Sequence, residues 1–214
     1  MTEEELQSKI NRATDERNAG NQDTAELLAL EVLTEINSFT IISDNMLLIK
    51  VNTISFLYDI AMVKGKYEQA LALSLSLLDL AIKNSNDIYK AKAYNNIGMA
   101  QFRLCAYDEA LKNCSLALNT YDKIDDKLGY AKTSGNIGLI YDKLGAYDKY
   151  LEYQTISLVT HEKIGNKLGV ALVLGNIGPM YIFLGSYEKA EEYIHKAIAI
   201  FEEIKNEPGL ITAL

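Results

Sequence analysis

The sequence predicts an all-α solenoid built from antiparallel helix pairs, and three recurrences predict it. Asn-Ile-Gly stands at 96–98, 136–138 and 176–178, a step of 40 residues each time. Nine residues after each of these glycines comes a Tyr-acidic segment, Tyr107-Asp108, Tyr147-Asp148 and Tyr187-Glu188, and Tyr67-Glu68 extends the series one step back. Asn86, Asp126, Asn166 and Asn206 form a third series at the same step. A period of this length marks stacked repeats, in which each supersecondary unit buries its apolar face against the next copy.

Each series has a local meaning. Gly65, Gly145 and Gly185 precede the Tyr-acidic segments by two residues and suit a left-handed helix stop, and Cys105 stands at the same turn in the remaining copy. The acidic residue then falls in the opening turn of a second helix, where it complements the helix dipole. Asn86, Asp126, Asn166 and Asn206 are good N-cap residues for the next first helix.

In chain order, Thr2 to Glu5 forms a capping-box sequence opening a polar helix over 3–19, and Gly20 supplies a turn. An apolar stripe follows from Thr24 to Ile36. Residues 1–43 are therefore expected to form a degenerate, capping helix pair. Residues 44–205 are expected to hold four pairs, with first helices near 45–64, 87–104, 127–144 and 167–184 and second helices near 67–83, 107–123, 147–164 and 187–204. Residues 206–214 restart the unit, with Pro208 suited to a first helical turn, and stop before the next tripeptide. The expectation is an excised N-terminal part of a longer protein, with Ile194, Ile198 and Phe201 partly uncovered.

The repeat is similar to the tetratricopeptide family. With the tripeptide glycine at position 8, one unit reads Tyr94, Ile97, Gly98, Gln101, Ala110, Cys114 and Ala117, and another Leu174, Ile177, Gly178, Tyr181, Ala190, Ile194 and Ala197. The 40-residue step and the junctions Lys127-Leu128-Gly129 and Lys167-Leu168-Gly169 resemble the long-repeat class, known from kinesin light chains, spindle-orientation adaptors and bacterial regulator arrays. The resemblance covers 44–214 well and 1–43 weakly. It implies a right-handed superhelix whose first helices line a concave groove, and a non-enzymatic module that holds a peptide or helix there, as the regulatory or sensory part of a larger signalling protein. Tyr150, where the family has a small residue, and Tyr58, where it has the tripeptide glycine, depart from the pattern. The carboxylate clamp of the co-chaperone subfamily is missing, because its two positions read Ser55 and Asp59, Asn95 and Met99, Gly135 and Leu139, and Gly175 and Pro179.

A helix turns about 100° per residue, so Asn96, Asn136 and Asn176 face away from the core and, by the resemblance, toward the groove. Asn offers donors and an acceptor that can grip a peptide backbone; it can equally tie one repeat to the next. The same face carries Lys92, Asn95, Met99, Phe102 and Arg103, then Lys132, Leu139, Asp142 and Lys143, then Leu172, Ile182 and Phe183. The groove grades from basic and polar to apolar. Lys92, Arg103, Lys132 and Lys143 suggest a partner with acidic groups, against the alternative of an ordinary solvated face of both signs. Pro179, in mid-helix, removes a backbone bond to Gly175. Ile182 and Phe183 suit an anchor pocket or a contact with a further unit. A second functional reading is a self-association scaffold dimerising through the apolar C-terminal end.

Composition narrows the classes. A net charge of -8 disfavours general binding to nucleic acid or anionic membrane. Two cysteines, Cys105 and Cys114, read as reduced turn and core residues of a cytoplasmic protein. The uncharged stretch Leu168–Gly185 reads as a first helix in register and not as a membrane span. No nucleotide-binding glycine pattern occurs, and His161 and His195 read as surface residues without metal-ligand spacing, so neither cofactor nor metal nor enzyme activity is expected.

Overall fold

The computed structural model describes residues 1–39 and 41–213; Leu214, the end of the expected stub, lies outside the described residues. Among them are eleven α-helices and no strand: α1 (Glu3–Asn18), α2 (Gln22–Ser38), α3 (Asp44–Val63), α4 (Tyr67–Lys83), α5 (Asp87–Arg103), α6 (Tyr107–Lys123), α7 (Lys127–Lys143), α8 (Tyr147–Lys163), α9 (Lys167–Phe183), α10 (Tyr187–Glu203) and α11 (Glu207–Ala213). Helix ends fall within about two residues of those read from the sequence. The chain divides into two compact units, Met1–Ala106 and Tyr107–Leu214.

The turns explain the regularity. Gly65, Gly145 and Gly185 adopt φ near +70° and close the preceding helix with paired bonds, such as Lys66 N–H to the Ala61 carbonyl at 2.8 Å and Gly65 N–H to the Met62 carbonyl at 3.3 Å. This is the six-to-one and five-to-two pairing that satisfies orphan helix carbonyls. Cys105 takes the same conformation with φ 61°. The junctions between pairs use it too, at Ser85, Asp125, Gly165 and Lys205. At each junction the next residue caps a helix: Asn86 accepts from Tyr89 N–H at 3.0 Å, Asp126 from Gly129 at 2.8 Å, Asn166 from Gly169 at 3.1 Å and Asn206 from Gly209 at 2.7 Å.

In the first unit, Ile10, Ala13, Ala25, Leu28, Phe56, Leu57 and Ile60 bring α1, α2 and α3 together, and Val51, Ile54, Leu77 and Ala93 join α3, α4 and α5. The capping box at Thr2 and Glu5 forms. Buried Glu26 on α2 accepts from Lys64 Nζ at 2.6 Å and Lys66 Nζ at 3.0 Å, clamping α2 to the turn after α3. Those bonds, Lys64 first, hold its carboxyl below the usual range.

In the second unit the tripeptide glycines let helices cross closely. A Cβ at Gly178 would lie 2.6 Å from Ile194 Cγ1, and one at Gly138 would lie 3.0 Å from Gln154 Nε2. Val170, Ala171, Leu174, Ala197 and Phe201 form a core with Leu210 of α11 packed on it. Of the C-terminal residues expected to be partly uncovered, Ile194 and Ile198 are half-buried, whereas Phe201 is buried, because Gly209 lets α11 close over its ring.

The uncharged stretch beginning at Leu168 is α9, 17 residues long. Among the described residues the one helix long and apolar enough to cross a membrane is α3, and 56% of its apolar window is buried within the structure.

Candidate functional site

The second unit carries the candidate site on the open face of α9. Leu172, Ile182 and Phe183 are exposed there, Phe183 at 66%, whereas Ile177, Leu174 and Met180 on the other face are buried. A cavity of about 370 Å³ opens beside it, walled by Leu139 and Asp142 of α7, Tyr147 and Tyr150 of α8, and Asn176 and Phe183 of α9. The Tyr147 and Phe183 ring centroids are 5.0 Å apart and tilted by 58°, a favourable aromatic pair. Pro179 lies inside α9 without ending it, and, having no N–H, it leaves the Gly175 carbonyl without its helix donor. A second cavity of about 380 Å³, lined by Leu168, Leu172, Asn206 and Pro208 among others, lies between α9 and α11.

Tyr150 resolves its departure from the family pattern by use. The ring is buried, and its hydroxyl donates to the backbone carbonyl of Asn176. Burial, then nearby Asp142, raises the phenol above its ordinary value. In the first unit Tyr58, the other departure, donates to the carbonyl of Asn96 at 3.3 Å. Both misfit tyrosines thus fasten the backbone of the next tripeptide.

The predicted asparagine face is uneven. Asn176 is exposed and Asn136 half-buried, but Asn96 is only 7% exposed, so the helical-wheel placement on an open face does not hold for it. Lys92, Asn95, Met99 and Phe102 are half-buried and Arg103 is exposed. The four predicted cations divide two to each unit. Arg103 lies over the Tyr67 ring at 5.8 Å, Lys92 acts on Asp59, and Lys143 pairs with Asp142 at 3.0 Å. Lys132 is exposed and acts on His161. Three of the four are engaged within the protein, which weakens the case for a strongly acidic partner.

His161, expected at the surface, is 3% exposed. It belongs to a recurring contact that sequence reasoning missed: Tyr121, His161 and Phe201 each stack on the junction glycine eight residues on, at Gly129, Gly169 and Gly209, where a Cβ would approach the ring to under 3.0 Å. At the equivalent positions one repeat earlier stand Ala81 and Tyr89, the same volume with the ring on the other helix. That inverse pairing was the available signal. His195 is exposed, and among the described residues no group of His, Cys, Asp and Glu is placed to hold a metal.

Between α7 and α8 lies a second missed feature, a buried polar seam. Ser157 Oγ donates to the Ala131 carbonyl at 2.8 Å, and Gln154 Nε2 to the Gly135 carbonyl at 3.2 Å, while Gln154 Oε1 is buried with no hydrogen bond. An unsatisfied buried acceptor costs about 1–3 kcal/mol. Gln154→Met, similar in volume, is expected to raise stability by about 1 kcal/mol. A urea midpoint that rises at unchanged slope is the predicted result; a fall would mean that the amide earns its place through Gly135.

Residues 89–155 and 171–203 match tetratricopeptide-repeat models. The fold is similar to that of BtubC from P. vanneervenii, with 19% identity, 91% of this chain and 78% of that one covered, and a TM-score of 0.73. It is similar to a signal transduction ATPase with a tetratricopeptide repeat sensor from Pyrococcus horikoshii, with 24% identity, 99% of this chain covered but 32% of that one, and a TM-score of 0.77. It is also similar to the Rap conjugation gene regulator of the plasmid pLS20, solved in complex with the Phr* peptide, with 12% identity, 98% and 56% covered, and a TM-score of 0.82. No curated protein matches the sequence.

Proposed function

We propose that this chain of tetratricopeptide repeats is a non-enzymatic protein-interaction module, binding a peptide or helix on the open face of its first helices. The observation that carries this reading is α9: Leu172, Ile182 and Phe183 stand exposed beside an aromatic-walled cavity of about 370 Å³, an apolar anchor site with polar groups at its edge. The similar Rap regulator holds a peptide, and the similar archaeal protein uses its repeats as a sensor; both support a regulatory role in a larger signalling protein. Cys105 and Cys114 are free, which fits a cytoplasmic setting.

The test is selection from a displayed random dodecapeptide library, comparing wild type with Leu172→Ala and Phe183→Ala. Both side chains are exposed, so both variants should stay folded, Phe183→Ala losing no more than about 0.5–1.5 kcal/mol, the worth of its aromatic pair with Tyr147. Selected peptides should bind the variants about tenfold more weakly, the effect of truncating an anchor. Equal binding to wild type and variants would remove α9 as the site. Self-association is the second reading, favoured by Ile211, which α11 leaves 78% exposed. Light scattering across a dilution series separates the two, since only that reading predicts a mass that falls on dilution.

A further inference from the structure

The first unit contains a counterpart of the Tyr147–Phe183 pair beside the α9 cavity, and the two pairs differ in one respect that points to a ligand chemistry. Tyr67 and Arg103 stand two repeat steps before Tyr147 and Phe183. In the first unit the Arg103 guanidinium lies over the Tyr67 ring at 5.8 Å, so that tyrosine already has a cation of the protein's own. In the second unit Phe183 replaces the arginine, its ring 5.0 Å from that of Tyr147; Lys143 acts on Tyr147 through its charge, but among the described residues no cation lies over the ring.

The surroundings of Tyr147 have meanwhile gained acceptors. Asp142 lines the cavity, as do Gly175, whose carbonyl Pro179 deprives of a donor, and Asn176, whose side chain makes no hydrogen bond among the described residues. Lys143, which is not part of the lining, pairs with Asp142, its Nζ 3.0 Å from Oδ2. Aromatic faces beside a carboxylate and a bare helix carbonyl form a receptor for a cation with an apolar stem, and a guanidinium meets both demands.

We propose that the cavity walled by Asp142, Tyr147, Gly175 and Phe183 is a specificity pocket for a basic side chain, arginine above lysine, of the bound peptide. The assignment rests on the α9 face being a peptide site, and it reverses the acidic partner that the distribution of lysines suggests.

The same dodecapeptide library tests it, with selected pools sequenced for wild type, Asp142→Asn and Phe183→Arg. Wild type should enrich arginine several-fold over the input. Asp142→Asn removes the counter-charge and frees Lys143, so the enrichment should vanish and selected arginine peptides should bind about tenfold more weakly. Phe183→Arg rebuilds the arrangement of the first unit, supplies an internal guanidinium for Tyr147, and should abolish arginine selection while leaving the helix pairs folded. A wild-type pool of bound peptides without basic enrichment overturns the pocket and leaves the peptide site standing. Enrichment that survives both substitutions also overturns it, since it would come from the overall negative charge. An empty wild-type pool takes down the pocket and the peptide site together.

Discussion

Tyr121→Ala is expected to destabilise the protein by about 3–5 kcal/mol, the range for emptying a buried aromatic site. Tyr121 is buried at the end of α6 with its ring on Gly129, the first-turn glycine of α7, and burial with nearby Asp126 pushes its phenol up to about 12. The converse change, Gly129→Ala, places a Cβ inside the ring and should cost about 1–3 kcal/mol through overpacking, although an alanine in a helix is otherwise favoured by about 0.5–1 kcal/mol. Combined, the two changes should cost less than their sum, because in the absence of the ring the new methyl has room. A double-mutant cycle by urea denaturation should therefore give a coupling energy of about 1–3 kcal/mol. Strict additivity would mean that ring and glycine do not share one space.

Repeat arithmetic located the helices, because each boundary is set by chemistry visible in the chain: a left-handed stop, an Asx cap and a Tyr-acidic start. It could not see which non-glycine residues share that stop. Ser85, Cys105, Asp125 and Lys205 all adopt positive φ, a conformation that costs an ordinary residue about 1–2 kcal/mol and that only the repeat context imposes. The open face was read in outline: Leu172, Ile182 and Phe183 are exposed as the helical wheel requires. Asn96 departs from it because burial depends on what neighbouring elements cover, and a wheel drawn for one helix contains no neighbours. His161 was misplaced for a related reason. Polarity suggests surface, but its position belongs to a series whose other members are Tyr121 and Phe201, and the space beside Gly169 admits a ring of any kind. Gln154 and Ser157 likewise occupy core positions that Ile194 and Ala197 fill one repeat later.

That buried imidazole gives the protein a measurable pH dependence. Asn166, the N-cap of α9, accepts from Gly169 N–H through Oδ1 and donates through Nδ2 to His161 Nδ1 at 3.1 Å, which places the ring proton on Nε2. Protonation of Nδ1 would set two donors against each other in a site that admits little water. Burial, and secondarily Lys132 on α7, hold the imidazole below its ordinary value near 6.5. The folded state therefore binds this proton less tightly than the unfolded chain does. Stability from neutral His161 is fully present above about pH 6.5 and declines as pH falls toward the folded value, with a slope of at most about 1.4 kcal/mol per pH unit. His161→Phe removes the titration and introduces the ring that Phe201 already places on Gly209. Urea midpoints from roughly pH 7.5 down to 5 should fall more steeply for wild type than for His161→Phe. The carboxylates, including the Lys-held Glu26, contribute equally to both proteins, so the difference isolates the imidazole. Parallel curves would show that His161 takes up its proton in the folded state as easily as in the unfolded one, with Asn166 turning its amide to accept it.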